Sequence, residues 1–253
     1  MADVEADRHR YATAQPFKHA VIDDFLTAAT AARAEAEFPT PDDVADWRRA
    51  DAVDGEGRVA QSRKLGYSRE ENFGPTLRAL VHELNAGPFL RYLERLTGID
   101  HLIPDPHLIG GGLHQYLPGA VLRVHADFNR LGGVNLDRRL NLLLYLNSEW
   151  LPHWGGDLEL WDTGMQRCVE RIAPRANRCV VFSTTSTSYH GMPEPLACPA
   201  DKTRKSLALY YYSNGRPLEE QTPEHSTLWQ ARPHEDRAPR PDSASDAVER
   251  SSR

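Results

Sequence analysis

In the stretch LRVHADFN, residues 122–129, His125 and Asp127 stand two positions apart on what reads as a strand. Strand alternation puts both side chains on one face, with Arg123 beside them. An imidazole and a carboxylate so placed can supply two of the three ligands of a mononuclear non-haem iron site, which keeps the remaining positions open for substrates. A second imidazole must come from elsewhere. His190, in STSYHGMPEP, sits in a turn-like stretch just after the strand-like CVVFS. Further on, TRKSLALYYYS begins with Arg204 and Lys205. Their charge could hold the far carboxylate of an organic acid bound to the metal. The tail carries another His-x-Asp, His234 and Asp236, but no histidine follows it and its surroundings are polar. It reads as solvated loop.

The stretches QYLPGAVLRVHADFN, RRLNLLLYLNSEW, WGGDLELWD and TRKSLALYYYS together resemble the 2-oxoglutarate/Fe(II)-dependent oxygenases of the prolyl 4-hydroxylase-like superfamily. The resemblance is strong over about residues 105–213 and loose before them. It implies a double-stranded β-helix, a distorted jelly roll with the metal inside one open end. It implies His125, Asp127 and His190 as Fe(II) ligands, with 2-oxoglutarate and O2 as cosubstrates. It matches Arg204 to the basic residue that pairs with the far carboxylate of 2-oxoglutarate, and Tyr145 to a tyrosine bonded to the same carboxylate. Tyr116 matches a tyrosine near the cosubstrate. Many prolyl hydroxylases use lysine at the basic position, but RKSLALYYY fits the arginine-type members with Arg204 inward. Ser206 then faces inward too and could add a hydroxyl. Leu122 stands where related hydroxylases often carry a tyrosine, which argues against carrying over prolyl specificity.

The implied chemistry is oxidation of a substrate coupled to decarboxylation of 2-oxoglutarate to succinate and CO2. No side chain beyond the metal ligands is needed as a catalytic acid or base. The expected substrate is a small polar molecule (a sugar, an amino acid or a natural-product intermediate) that is hydroxylated or oxidatively cyclised. Two alternatives stand beside it: a hydroxylase of prolyl or other residues in a peptide or protein, and a non-catalytic jelly-roll binding module. Candidate substrate contacts are Arg123, Asn129, His114, Tyr210 and Trp150. Each has a structural alternative: an ion pair for Arg123, a turn for Asn129, a bonded strand histidine for His114, ordinary strand packing for Tyr210, and core capping for Trp150 with Trp154.

These residues need elements to position them. Residues 1–15 read as a loose leader, and 16–26 as a strand and a turn. TAATAARAEAEF, 27–38, reads as a helix stopped by Pro39. Residues 40–72 are polar and glycine-bearing and read as loop; 73–98 carry helical periodicity divided at Gly87-Pro88. From about 106, short apolar runs alternate with Gly, Pro and Asn. That pattern predicts an antiparallel sandwich or barrel, here a mainly β fold with helices on one face. The expected organisation is one oxygenase domain over 16–213, with helical support at 27–98 and the β core at about 105–213. A polar extension, 214–253, follows, with a disordered composition after about 232.

Composition limits the partners. The 253 residues carry a formal net charge of −6, with 26% charged and 40% hydrophobic residues. That gives no electrostatic case for nucleic acid or an anionic membrane. No apolar run approaches the roughly 20 residues of a membrane helix. The first residues lack the apolar core of a secretory signal. Cys168, Cys179 and Cys198 form no CxxC pair, which fits a reducing cytoplasm.

Overall fold

The computed structural model describes residues 4–44, 46–233 and 235. Among them are four α-helices: α1 Val4–Thr13, α2 Ala28–Ala36, α3 Pro75–Asn85 and α4 Gly87–Thr97. The strands are β1 His19–Ile22, β2 Arg48–Arg49, β3 Ala52–Val53, β4 Val59–Tyr67, β5 Ile103–Pro104, β6 Gly112–Ala126 and β7 Arg130–Leu131. They continue with β8 Leu136–Tyr145, β9 Leu158–Trp161, β10 Cys168–Ile172, β11 Cys179–Ser183, β12 His190–Met192, β13 Arg204–Ser213 and β14 Leu228–Trp229.

Local chemistry explains the helices. Thr27 caps α2, its hydroxyl accepting the Thr30 N–H at 3.2 Å. Pro88 sits in the first turn of α4, where its missing N–H costs nothing, so the Gly87-Pro88 division falls between two helices. α4 stops at Gly98, whose φ of 72° suits glycine. Leu77, Leu80, Val81 and Leu84 of α3 repeat at helical spacing and bury one face. They join Leu140, Leu142 and Leu144 of β8 and Leu207 and Leu209 of β13 in one core. The alternate residues of those strands, Asn141, Leu143, Tyr145, Arg204 and Ser206, face the other way, into the barrel.

The strands form one antiparallel ladder in the order β1-β11-β8-β13-β6-β12-β9-β10. This is the expected mainly β fold with flanking helices, a double-stranded β-helix. β6 is the strand on which the ladder turns. Its first half pairs with β13, Arg204 opposite Tyr116, and its last residues pair with β12, His190 opposite His125. β4 lies along its other edge, Lys64 opposite Tyr116.

Two expectations are corrected. Residues 4–13, read as leader, form α1, and Tyr11 is fully buried, its hydroxyl 2.7 Å from Ser183 Oγ. One buried aromatic in a polar stretch has no periodicity to announce it. Residues 40–72, read as loop, contain the nine-residue strand β4. Its Gln, Ser, Arg and Lys hide a strand stabilised by pairing rather than by apolar alternation. The turn before it is built on Asp54, whose carboxylate accepts the backbone N–H groups of Glu56 and Arg58. The expected disorder after about 232, and the decoy His234 and Asp236, fall outside the described residues, apart from Arg232, Pro233 and Glu235. Among the described residues no helix is long and apolar enough to cross a membrane.

Candidate metal centre and cosubstrate pocket

His125, Asp127 and His190 converge, with ligand atoms all within 4.8 Å of one another. The register His190↔His125 stacks the two imidazoles at 4.5 Å between centroids. Each ring is anchored from behind: His125 Nδ1 lies 2.8 Å from the Arg123 carbonyl, and His190 Nδ1 lies 2.9 Å from the Ser188 carbonyl. Both Nδ1 atoms therefore donate, and both Nε2 lone pairs face Asp127. His125 Nε2 is 3.6 Å from Asp127 Oδ1, and His190 Nε2 is 3.5 Å from Oδ2. Two imidazoles and a carboxylate on one side of a shared point fit a divalent iron with open positions opposite.

The Asp127 carboxylate is oriented by two further groups. Asn141 Nδ2 donates to Oδ2 at 2.7 Å, and Arg138 Nη2 lies 3.1 Å from the same oxygen. Arg138 is itself fixed: Nε and Nη2 donate to Asn141 Oδ1 at 3.0 and 2.7 Å. Its guanidinium lies 3.6 Å from the Tyr210 ring centroid and 4.4 Å from that of Phe128. Burial would raise the Asp127 carboxyl, but Arg138, His190 and His125 override it and hold it well below the carboxylate range. Burial, then the neighbouring His125, pushes His190 down to about 4, so its imidazole is neutral and ready to ligate at neutral pH.

Arg204 lies in the same cavity, 4% exposed. Its Nε donates to the Gly156 carbonyl at 2.7 Å and its Nη2 to the Tyr145 hydroxyl at 3.0 Å. Lys205 points the other way, its backbone N–H donating to Asn147 Oδ1 at 2.7 Å. The Arg204 side chain also lies over the rings of Tyr116 and Tyr145, at 5.4 and 4.8 Å. Tyr116, Ser206, His114 and Tyr210 line the cavity, as expected from their parity. His114 bonds the Gly110 carbonyl at 3.0 Å, and Tyr210 donates to the same oxygen at 2.9 Å.

Three expected substrate contacts lie elsewhere. Arg123 is outside the cavity wall, held by Asp54 and by Glu235 at 2.9 Å. The cause is a bulge: His190 opposes His125 while Met192 opposes Leu122, so β6 carries one extra residue there. Alternation inverts across it, and Leu122 rather than Arg123 shares the cavity with His125. Asn129 clamps the C-terminal segment, donating to the Pro223 carbonyl at 2.8 Å and accepting the His225 N–H at 2.9 Å. Trp150 packs edge-on against Trp154 in the apolar cluster behind Tyr116 and Leu122, off the cavity wall, and donates to the Gly155 carbonyl at 2.8 Å.

The structure adds cavity residues that sequence reasoning missed. Asn141 shares parity with Tyr145 and could have been found as the polar residue on that face. Arg138 could not, because a bulge where β8 meets β13 resets its direction. Lys64 comes from the strand read as loop. Trp229 comes from the polar extension; β14 lays it opposite His125, with ring centroids 5.0 Å apart.

The fold is that of the double-stranded β-helix class, and the site carries a donor set that fits non-haem iron. Residues 111–212 match the family model of the 2OG-Fe(II) oxygenase superfamily. The matched stretch is about two fifths of the chain, and it is similar to 2-oxoglutarate-dependent non-haem iron dioxygenases. The family match and the His–Asp–His set support Fe(II), 2-oxoglutarate and O2. The chain is 30% identical over 149 residues to the prolyl 3-hydroxylase OGFOD1 of Mus musculus. The match covers 57% of this chain and 24% of the relative, so the chain spans about a quarter of that protein. Its fold is similar to that of a Trichoplax adhaerens prolyl hydroxylase in complex with a hypoxia inducible factor peptide. The TM-score is 0.59 at 16% identity, over 83% of this chain and 89% of that one. It is also similar to SnoN, a non-heme alpha ketoglutarate dependent epimerase from nogalamycin biosynthesis. There the TM-score is 0.53 at 14% identity, over 90% of this chain and 96% of that one.

Proposed function

We propose that His125, Asp127 and His190 hold the Fe(II), and that Arg204 with Tyr145 fixes the far carboxylate of 2-oxoglutarate, assisted by Tyr116 and Ser206. On this reading the chain hydroxylates or oxidatively cyclises a small polar molecule. The observation that carries it is the single cavity shared by the three converging donors and the Arg204 fork. When bound, Fe(II), 2-oxoglutarate and O2 supply the oxidising power, with release of succinate and CO2. The chain's own residues position and shield. The Arg123 and Ser188 carbonyls aim the imidazoles, Arg138 and Asn141 aim the carboxylate, and Gly156 and Tyr145 aim Arg204. Burial of these groups keeps water from the reacting centre. No proton transfer by a side chain is required.

A small substrate is supported by a cavity of about 380 Å³, within the range of small-molecule sites, flanked by β4 and Trp229. We read residues 16–213 as the oxygenase unit, with α1 and the segment around β14 packed on it. Three free cysteines support a reducing, cytoplasmic setting. The likeness to a prolyl 3-hydroxylase favours a second reading, oxidation of a prolyl residue in a peptide. Leu122 on the cavity wall speaks against it.

The test is anaerobic titration with Fe(II) and 2-oxoglutarate. A visible metal-to-2-oxoglutarate charge-transfer band is expected, and its loss in His125→Ala. No band in the unaltered protein, or a band that survives in His125→Ala, refutes the assignment. Succinate release then separates an enzyme from a binding module, and prolyl peptides from small molecules as its stimulants.

A further inference from the structure

Lys64 is a cavity cation that the chemistry above does not use. Lys64 faces inward on β4, in a row with Tyr116 of β6 and Arg204 of β13. Its ammonium lies 5.6 Å from the Tyr116 ring centroid. Among the described residues it makes no hydrogen bond and no ion pair. The other inner cations are engaged, Arg138 by Asp127 and Asn141, Arg204 by Gly156 and Tyr145. Arg48, on the next strand, stands at the mouth of the same cavity and is likewise without a bonded partner among the described residues.

Between these two cations the wall is bare. Arg48 pairs with Gly66, two residues from Lys64 on the same face. A Cβ built on Gly66 would meet nothing closer than 3.9 Å, so the missing side chain leaves room rather than relieving a clash. Charge points the same way. The cavity wall carries Arg48, Lys64, Arg138 and Arg204 against Asp51 and Asp127. Fe(II) and doubly charged 2-oxoglutarate cancel one another, so the loaded pocket keeps its positive excess. Burial, and behind it the Arg138 and Arg48 guanidinium groups, disfavours the Lys64 ammonium against the attraction of Tyr210 and Asp127, and an anion placed beside it stabilises it. A positive cleft also concentrates anionic ligands.

We propose that Lys64, with Arg48 beside it, receives an oxyanion (a carboxylate or a phosphate) carried by the primary substrate, in the space left by Gly66. This rests on the oxygenase reading and specifies its substrate class: small organic anions. Lys64 is a specificity-determining residue, since neutral analogues gain nothing from it.

The experiment uses the full chain saturated with Zn(II) and 2-oxoglutarate, so that Arg204 is occupied. It is titrated calorimetrically with benzoate, phenyl phosphate and benzamide. One or both anions should bind at least about tenfold tighter than benzamide, and the tighter anion identifies the oxyanion. Lys64→Met should lower that affinity about tenfold or more, and Gly66→Leu should abolish binding. Both variants should form the Fe(II)–2-oxoglutarate band at the same 2-oxoglutarate concentration as the unaltered protein, which also shows that they fold. Equal affinity for all three probes, no binding of either anion at millimolar concentration, or unchanged affinity in Lys64→Met overturns the proposal. So does a Lys64→Met protein whose 2-oxoglutarate titration shifts, since Lys64 would then serve the cosubstrate. A missing band in the unaltered protein refutes the oxygenase reading instead, while the preference for anions is still measured.

Discussion

Asp127 has one of its oxygens committed within the protein. Oδ2 is held by Asn141 and Arg138, so a metal is met by a carboxylate that cannot swing. Arg138→Met removes the charged half of that support. Fe(II) affinity should fall roughly 10–100-fold, the range expected for losing a group that orients a ligand. Anaerobic Fe(II) titration reads it, and an unchanged affinity would show that Asn141 alone suffices. The adjacent Arg204 and Lys205 give a sharper contrast. Arg204→Ala should raise the half-saturating 2-oxoglutarate concentration by at least about tenfold, the scale of a lost charge-assisted bond. Lys205→Ala should leave it unchanged, because that side chain points out of the cavity; equal losses would contradict the observed strand parity. At this scale the proposed metal ligands, with Arg204 and Tyr145, stood out in the sequence, because their types and order are distinctive. Arg138 and Lys64 were not, because an arginine or a lysine on a strand reads as surface until its neighbours are known.

β12 can lie against β6 because Gly191 has no side chain. A Cβ there would stand 2.8 Å from the carbonyl oxygens of Leu122 and Arg123. Gly191→Ala should push β12 away and separate His190 from His125. The expected result is loss of Fe(II) binding with the far-ultraviolet spectrum retained; iron binding at unaltered affinity would mean that the strand shifts without moving His190. The same pairing holds the bulge in β6 that turned Arg123 outward, and this is why strand parity, reliable from Leu140 to Tyr145 on β8 and from Arg204 to Tyr211 on β13, misassigned it. A period-two pattern survives only as long as the pairing is regular, and a bulge leaves no mark in the local sequence. β14 belongs to this scale too. Trp229 covers His125, and Arg123, Arg232 and Glu235 tie the segment down. Deleting the chain from Thr222 onward should expose the metal to solvent and speed chelator-driven loss of the Fe(II)–2-oxoglutarate band. A band that decays at the original rate would remove Trp229 from the shielding role.

For the molecule as a whole, metal and cosubstrate bind the folded chain and so stabilise it. At a hundredfold excess over Kd the gain is about 2.7 kcal/mol, or roughly 5–11 °C in Tm for a chain of this size. Differential scanning with and without Fe(II) and 2-oxoglutarate should show this rise, and His125→Ala should abolish it. Acid acts in the opposite direction on the metal-free chain. His190 is lowered to about 4 when folded, against about 6.5 when unfolded. Between those values the unfolded chain takes up a proton that the folded chain refuses, so stability should fall as pH drops from 6.5 to 4 and this loss should then level off. Urea midpoints across that range measure it, and a flat profile would mean that His190 is hydrated in the metal-free protein. The sequence by itself pointed to the chemical class, because iron and 2-oxoglutarate demand particular donors in a particular order, and it determined α2, α3, α4 and the apolar strands, because their periodicity is local. Only the tertiary structure decided which polar residues enter the cavity. Those assignments depend on bulges, on a charged strand recruited by pairing, and on a C-terminal segment laid across the metal strand, all of them contacts between residues far apart in the chain.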